Sequence, residues 1–397
     1  MNPDLWRTRP WLALASLLPV VAGAAWFAFG LTRGPAFRRV AAPATWLATR
    51  VAFAVLLWGV LGHAGTDQLG FFLPQAKQAL AGALPYRDFP SAYAPLFAPL
   101  LALAVRLGGD VGPFALFLLA DGIAWLVLAR ARGLSDGAVW MFAAWPPIWY
   151  LAVRYAQDEP LGAMFLALAW AASRRDRWGW TGALLGLGLV VTKPLFALPA
   201  CALALTPQVR WRPLLLGAAL PVAATYGAFL AWGAPVWQPL LLEGGSFGVG
   251  PTLWRLPTVF LGFDPGATGW LPFLVVALYG AVRLRRAGAD GASHAAWSYC
   301  AFALLAPKFM PMYVILWAPL LAIAAAEPSP VFSRPWLVAY AVALPCAWVA
   351  DSGPLQGLFG TGPRVLALVL ILLVPLMLLA PMATLMARTR RRRTEST

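Results

Sequence analysis

Three cysteines are all this chain contains, and Cys201, Cys300 and Cys346 each lie inside an apolar run with no partner at short spacing. That excludes a disulfide framework and a thiolate zinc site, and leaves the three as packing residues. Acidic side chains are scarce as well, 15 against 30 Lys and Arg. No stretch of mixed polarity is long enough to fold as a separate soluble domain. No Gly-rich nucleotide cradle stands where one would be needed. No internal repeat is evident, so the inverted halves of many transporters leave no mark here.

What is abundant is apolar: 61% of residues are hydrophobic and the mean hydropathy is +0.72, far beyond what a soluble core of this length needs. The chain is an integral membrane protein, with a single multi-pass domain over residues 1–387 and a basic cytoplasmic tail over 388–397. Its net charge of +15 is gathered in short clusters between apolar runs: Arg33, Arg38 and Arg39; Arg130 and Arg132; Arg174, Arg175 and Arg177; Arg210 and Arg212; Arg283, Arg285 and Arg286. This is the pattern of cytoplasmic loops under the positive-inside rule, and it excludes a nucleic-acid role.

With those clusters inside, the expected fold is all-α, a polytopic transmembrane helical bundle of about thirteen helices. The apolar cores run from Trp11 to Met386 and include Ala138 to Val153 as one core. The N-terminal run continues through Leu31 without a cleavage site and reads as a first helix. The N-terminus is placed outside, against a mild pull from Arg7 and Arg9, and the C-terminus inside. Tyr93 to Leu107, interrupted by Pro95 and Pro99, suits a helix that dips in without crossing. Gly179 to Val191 and Leu195 to Leu205 form a broken hairpin with Lys193-Pro194 at its outer tip. From Leu69 to Ala83, Phe72, Ala76, Ala79, Leu80 and Ala83 recur at helical spacing with Gln75 and Gln78 opposite, which predicts an interfacial helix in the first outer loop. The 21 tryptophans are expected mostly in interfacial belts.

A carboxylate kept where the chain leaves the bilayer is expensive unless it does chemistry. Asp67, in the stretch His63-Ala-Gly-Thr-Asp-Gln, is such a residue and reads as a catalytic base. Around it converge Tyr86-Arg-Asp-Phe-Pro90 with Arg87 and Asp88, then Tyr93, the segment Arg154-Tyr-Ala-Gln-Asp-Glu159, and the proline-flanked cations Lys193 and Lys308. A carboxylate can deprotonate an acceptor hydroxyl, and cations can stabilise charge on a phosphate leaving group. Bland roles stand beside these. Asp88, Asp110, Glu243, Asp264 and Asp351 suit caps or ion pairs, and Asp158 and Glu159 suit a helix start before Pro160. Lys193 and Lys308 suit snorkelling. Asp121, deep in a helix, is either functional or paired with a neighbouring helix.

The order Gly65-Thr-Asp67, Gly82-Ala-Leu-Pro-Tyr-Arg-Asp-Phe89, Tyr93-Ala-Pro-Leu96, Gln157-Asp-Glu159, Thr192-Lys-Pro194 and Pro307-Lys-Phe-Met-Pro-Met-Tyr313 with Leu316-Trp317 resembles the GT-C superfamily of membrane glycosyltransferases. Within it the chain is most similar to the bacterial polyprenyl-phosphate-mannose-dependent mannosyltransferase-like group. The resemblance implies a GT-C-type helical fold and a polyprenyl-phosphate sugar donor. It also implies Asp67 at the catalytic position, Asp158 or Glu159 at a second acidic position for acceptor or metal, and Lys193 near the donor phosphate. Arg87 and Lys308 are further phosphate candidates, and Asp88, Tyr93, Arg154 and Tyr313 line the pocket. Some members of the group bind divalent metal. Tyr93-Ala-Pro departs from the usual Tyr-Pro-Pro, and the Lys308 segment departs from Phe-Ser-Pro-Gln-Tyr.

The expected function is transfer of a hexose, with mannose the example, from a polyprenyl phosphate to a glycan, lipid or protein acceptor outside the cytoplasmic membrane. An outward site cannot draw on cytoplasmic nucleotide sugars, which favours a lipid-carried donor. The rivals are a transporter or lipid flippase with Asp121 and Lys193 as pathway charges, and a glycan ligase or polymerase, for which the later outer loop offers only Arg255.

Overall fold

The computed structural model describes residues 17–60, 65, 67–244, 250–263, 266–326, 331–351, 369 and 372–395. The expectations for Arg7, Arg9, His63 and Asp264 fall outside these residues.

Every regular element among the described residues is helical, apart from one isolated bridge between Pro85 and Phe89. In chain order, α1 is Leu18–Thr32 and α2 is Pro35–Val60, which loosens into wide π-type turns over Ala48–Ala52 and Val55–Val60. Next come α3 (Leu73–Leu80), α4 (Phe97–Gly108), α5 (Gly112–Arg130), α6 (Asp136–Ala144), α7 (Pro146–Tyr155) and α8 (Glu159–Ser173). Then follow α9 (Trp178–Val191), α10 (Ala197–Ala204), α11 (Trp211–Ala231), α12 (Gln238–Gly244) and α13 (Arg255–Leu261). The chain ends with α14 (Trp270–Arg286), α15 (Gly291–Leu305), α16 (Val314–Ala326), α17 (Arg334–Asp351) and α18 (Leu379–Glu395).

Among the described residues five stretches are long and apolar enough to cross a membrane: Pro35–Val60, Phe97–Arg130, Trp211–Ala231, Gly266–Arg286 and Leu372–Thr389. Several other apolar runs form shorter or broken helices. Ala138 to Val153, expected as one core, is cut at Trp145, whose ψ of 116° is extended. Pro146 and Pro147 follow it, and a residue before proline is driven out of the helical region.

The broken hairpin is present. α9 ends at Val191, Lys193 is extended (φ −137°, ψ 159°), and a tight turn at Pro194–Phe196 starts α10. α4 is 12 residues, about 18 Å, too short to cross the hydrocarbon, and turns through Gly109–Val111 into α5. The return is tight: a Cβ at Gly112 would lie 1.9 Å from the Ala104 carbonyl oxygen.

In the loop after α2, wide turns over Gln68–Phe72 lead into α3. The inward face differs from the expected one. Phe72 and Ala76 are buried against Phe97 and Phe117, but Gln75 is buried with them and Leu80 is exposed. Gln75 is tolerated inside because its Oε1 accepts from Ser91 Oγ at 2.9 Å.

The main core lies among α6, α7, α15, α16 and α17. It contains Trp140, Trp145, Tyr150, Tyr299, Trp317 and Tyr340, all almost fully buried. Six tryptophans, Trp140, Trp145, Trp149, Trp178, Trp297 and Trp317, are buried inside the bundle. A bundle interior is no more apolar than lipid, so an indole packs inside once its N–H is bonded. Trp145 donates to the Leu337 carbonyl at 3.0 Å and Trp317 to Ser298 Oγ at 3.1 Å.

Asp121 takes the pairing alternative. Arg50 of α2 donates to its Oδ2 at 3.0 Å, and Trp46 donates to the same atom at 2.6 Å. The guanidinium also reaches the Phe142 carbonyl at 2.8 Å and the Ala143 carbonyl. Both charged side chains are buried.

Candidate active site

The turn that ends α7 places the acids. Ala156 has left-handed backbone (φ 51°, ψ 51°), which stops α7 and redirects the chain through Gln157 and Asp158 into α8. Gly65 lies against this turn. A Cβ at that position would come 2.5 Å from the Ala156 Cβ and 2.8 Å from the Tyr155 carbonyl oxygen. Only glycine permits that approach, and it brings Asp67 to Gln157, whose Nε2 donates to Asp67 Oδ2 at 2.6 Å. The same nitrogen donates to the Tyr155 carbonyl at 3.1 Å.

Asp158 stands at the N-cap of α8 and Glu159 in its first turn, with no side-chain cap bond from Asp158. Both acids turn instead to the hairpin tip. Lys193 Nζ is 2.8 Å from Glu159 Oε1 and 3.0 Å from Asp158 Oδ1. All three side chains are buried. The ammonium also lies 5.3 Å from the ring centroids of both Tyr93 and Tyr313, a distance at which ring faces attract a cation.

Backbone bonds fix this meeting. Ala94 N–H donates to the Thr192 carbonyl at 2.8 Å and Leu96 N–H to the Val190 carbonyl at 2.9 Å, tying the Tyr93 loop to the end of α9. Tyr93 stacks on Phe97 at 4.1 Å and receives Tyr86 O–H on its carbonyl. Tyr313 arrives on the short turn Pro311–Tyr313 ahead of α16.

The electrostatics follow from burial with a shortage of cations. Burial pushes the Asp158 carboxyl up, to about 7, with Glu159 and Asp67 adding to the rise and Lys193 opposing it. Burial alone would lower Lys193, but Asp158 and Glu159 outweigh it and hold the ammonium charged. Asp158 and Glu159 therefore share one buried lysine, and Asp67 is close enough to raise the Asp158 carboxyl further.

The other expected site residues fall into separate contacts. Arg87 and Asp88 pair with each other at 2.9 Å in a partly exposed hook. There Asp88 also accepts from the Leu84 amide at 2.7 Å, and these donors hold its carboxyl down, at about 2. Arg154 donates to Tyr150 Oη and lies over the Tyr150 and Tyr155 rings at 5.5 and 5.2 Å. Lys308 is partly buried in the segment that leads to Tyr313. In the sequence Gln157 stands out only as part of its motif. Its signal was an amide placed directly before the two acids.

Among the described residues no group of three His, Cys, Asp or Glu is disposed to hold a metal ion. Asp158 and Glu159 already share the Lys193 ammonium, so the donor set does not fit a metal as it stands.

No known protein family matches the chain, and no curated protein matches it. Two solved structures are similar in outline, both of ArnT from Cupriavidus metallidurans. One is bound to undecaprenyl phosphate: 15% identity over 87% of this chain and 77% of that one, TM-score 0.46. The other is the apo state: 17% identity over 88% and 78%, TM-score 0.44.

Proposed function

We propose that the protein is a membrane-embedded GT-C-type glycosyltransferase that moves a hexose, such as mannose, from a polyprenyl phosphate to an acceptor hydroxyl. The supporting observation is the gathering of Asp67, Asp158 and Glu159 with Lys193, Tyr93 and Tyr313 at one end of the bundle. These residues come from five separate segments.

Asp67 is the base: it takes the proton of the acceptor hydroxyl as that oxygen attacks the sugar's anomeric carbon and the bond to phosphate breaks. Gln157 holds its carboxylate in position. Asp158 and Glu159, anchored by Lys193, orient the acceptor hydroxyls. Arg87 and Lys308 are the cations proposed to meet the departing phosphate, with Lys193 contributing its charge from behind the acid pair. The transporter alternative loses one of its two pathway charges, because Asp121 is held by Arg50 and Trp46.

The test is Asp67→Asn in purified protein supplied with a radiolabelled polyprenyl-phosphate hexose. Transfer falls at least about a hundredfold, the range for losing a positioned base, with the melting temperature unchanged. Undiminished turnover rejects the assigned role.

A further inference from the structure

At the end of the bundle opposite Asp67, two cavities lie side by side and share Ser135 and Ala326 in their walls. Ser135 Oγ donates to the Ala326 carbonyl at 3.3 Å, forming the partition. The smaller cavity, of about 290 Å³, has an apolar floor that includes Phe27, Met141, Phe332 and Leu337, and two cations, Arg38 and Arg334. No acid lines it. The larger, of about 500 Å³, adds Arg132 and Arg174.

The described acids of this region are already engaged. Asp136 is held by Arg39 at 3.1 and 3.2 Å, and Asp176 by Arg210 and by the Trp178 N–H. Asp290 accepts from the Ser293 amide at 2.7 Å. Arg38, one residue before Arg39 on α2, makes no ion pair among the described residues. Its Nε is buried without a hydrogen-bond partner. A buried donor on a charged group is costly unless something answers it. The complement to two guanidinium forks above an apolar floor is a phosphate attached to an apolar chain.

We propose that the smaller cavity binds the phosphate headgroup of an anionic bilayer lipid, its phosphate between Arg38 and Arg334 and its chain along the Phe27 and Phe332 floor. A soluble phosphate compound would use the same two forks. The apolar floor, and the position of Arg38 on a helix long enough to cross the bilayer, favour the lipid.

The experiment is native mass spectrometry of the full chain titrated with phosphatidylglycerol or phosphatidylcholine, with and without excess inorganic phosphate. The wild type retains one phosphatidylglycerol and no phosphatidylcholine, and inorganic phosphate does not displace it. Arg38→Gln and Arg334→Gln each weaken retention about tenfold, as loss of a charged hydrogen bond predicts. Arg212→Gln, an exposed arginine outside both cavities, leaves retention unchanged. Equal weakening by Arg212→Gln reduces the effect to general surface charge and overturns the site. Equal retention of phosphatidylcholine also overturns it, and displacement by inorganic phosphate overturns the lipid assignment. Should Arg38→Gln fail to fold, Arg334→Gln, at an exposed residue, decides the matter alone.

Discussion

Gln157 shows how one side chain sets the geometry of the acid beside it. The Tyr155 carbonyl can only accept, so it fixes which end of the amide is nitrogen, and that nitrogen faces Asp67. Asp158 carries a different burden, since its carboxyl is buried beside two other acids. A carboxyl whose folded value lies above its unfolded one binds its proton more tightly in the folded protein. Its contribution therefore makes stability fall as pH rises from about 3.8 towards about 7. Asp158→Asn is expected to flatten that decline, measured as melting temperature in detergent across this window; an unchanged slope would show that Asp158 does not titrate there. At this scale the sequence named Asp67, Asp158, Glu159, Lys193, Tyr93 and Tyr313 from residue type and motif order. It could not name their partners. Lys193 and Glu159 are 34 residues apart, and Arg50 lies 71 residues before Asp121, so each pairing depends on how helices meet.

Helices in lipid gain nothing from hiding apolar faces from each other, so they associate where small residues let backbones touch. α9 and α11 do this. A Cβ at Gly182 would lie 1.9 Å from the Leu214 carbonyl oxygen, one at Gly186 2.5 Å from that of Ala218, and one at Gly217 2.1 Å from that of Gly179. This seam supports α9, and α9 carries Lys193 at its tip. Gly182→Ala is expected to destabilise by about 1–3 kcal/mol through overpacking against backbone that cannot yield. Gly227→Ala on α11, with nothing within 4 Å of the added atom, is the control and should be neutral or slightly stabilising. Equal melting temperatures for the two variants would remove the seam from the argument. The hairpin tip was legible because Lys193-Pro194 interrupts an apolar run. The break at Trp145 was missed because apolar periodicity runs straight through two prolines that end one helix and begin the next. The buried side of α3 was misjudged at Gln75 for a related reason: a polar residue is placed outside by default until its partner, here Ser91, is known.

Across the whole molecule, charge is segregated along the helix axes. α8 begins at Glu159 in the acid cluster and ends at Ser173, next to Arg174 and Arg175. α9 runs back from Trp178 to the Lys193 tip, and α16 runs from beside Tyr313 to Ala326 at the arginine-lined cavities. The site and the arginine clusters therefore occupy opposite ends of the same bundle. Under the positive-inside rule the arginine end would face the cytoplasm, and the proposed function places the Asp67 end outside, where a sugar carried across on lipid would be met. The native cysteines, of which Cys201 is exposed, are first replaced by serine. Arg87→Cys, in the hook beside the site, should then react with a membrane-impermeant maleimide in intact cells. Arg175→Cys should react only after the membrane is permeabilised. The reverse pattern would put Asp67 in the cytoplasm, where nucleotide sugars are at hand, and would take away the physical reason for a polyprenyl-phosphate donor.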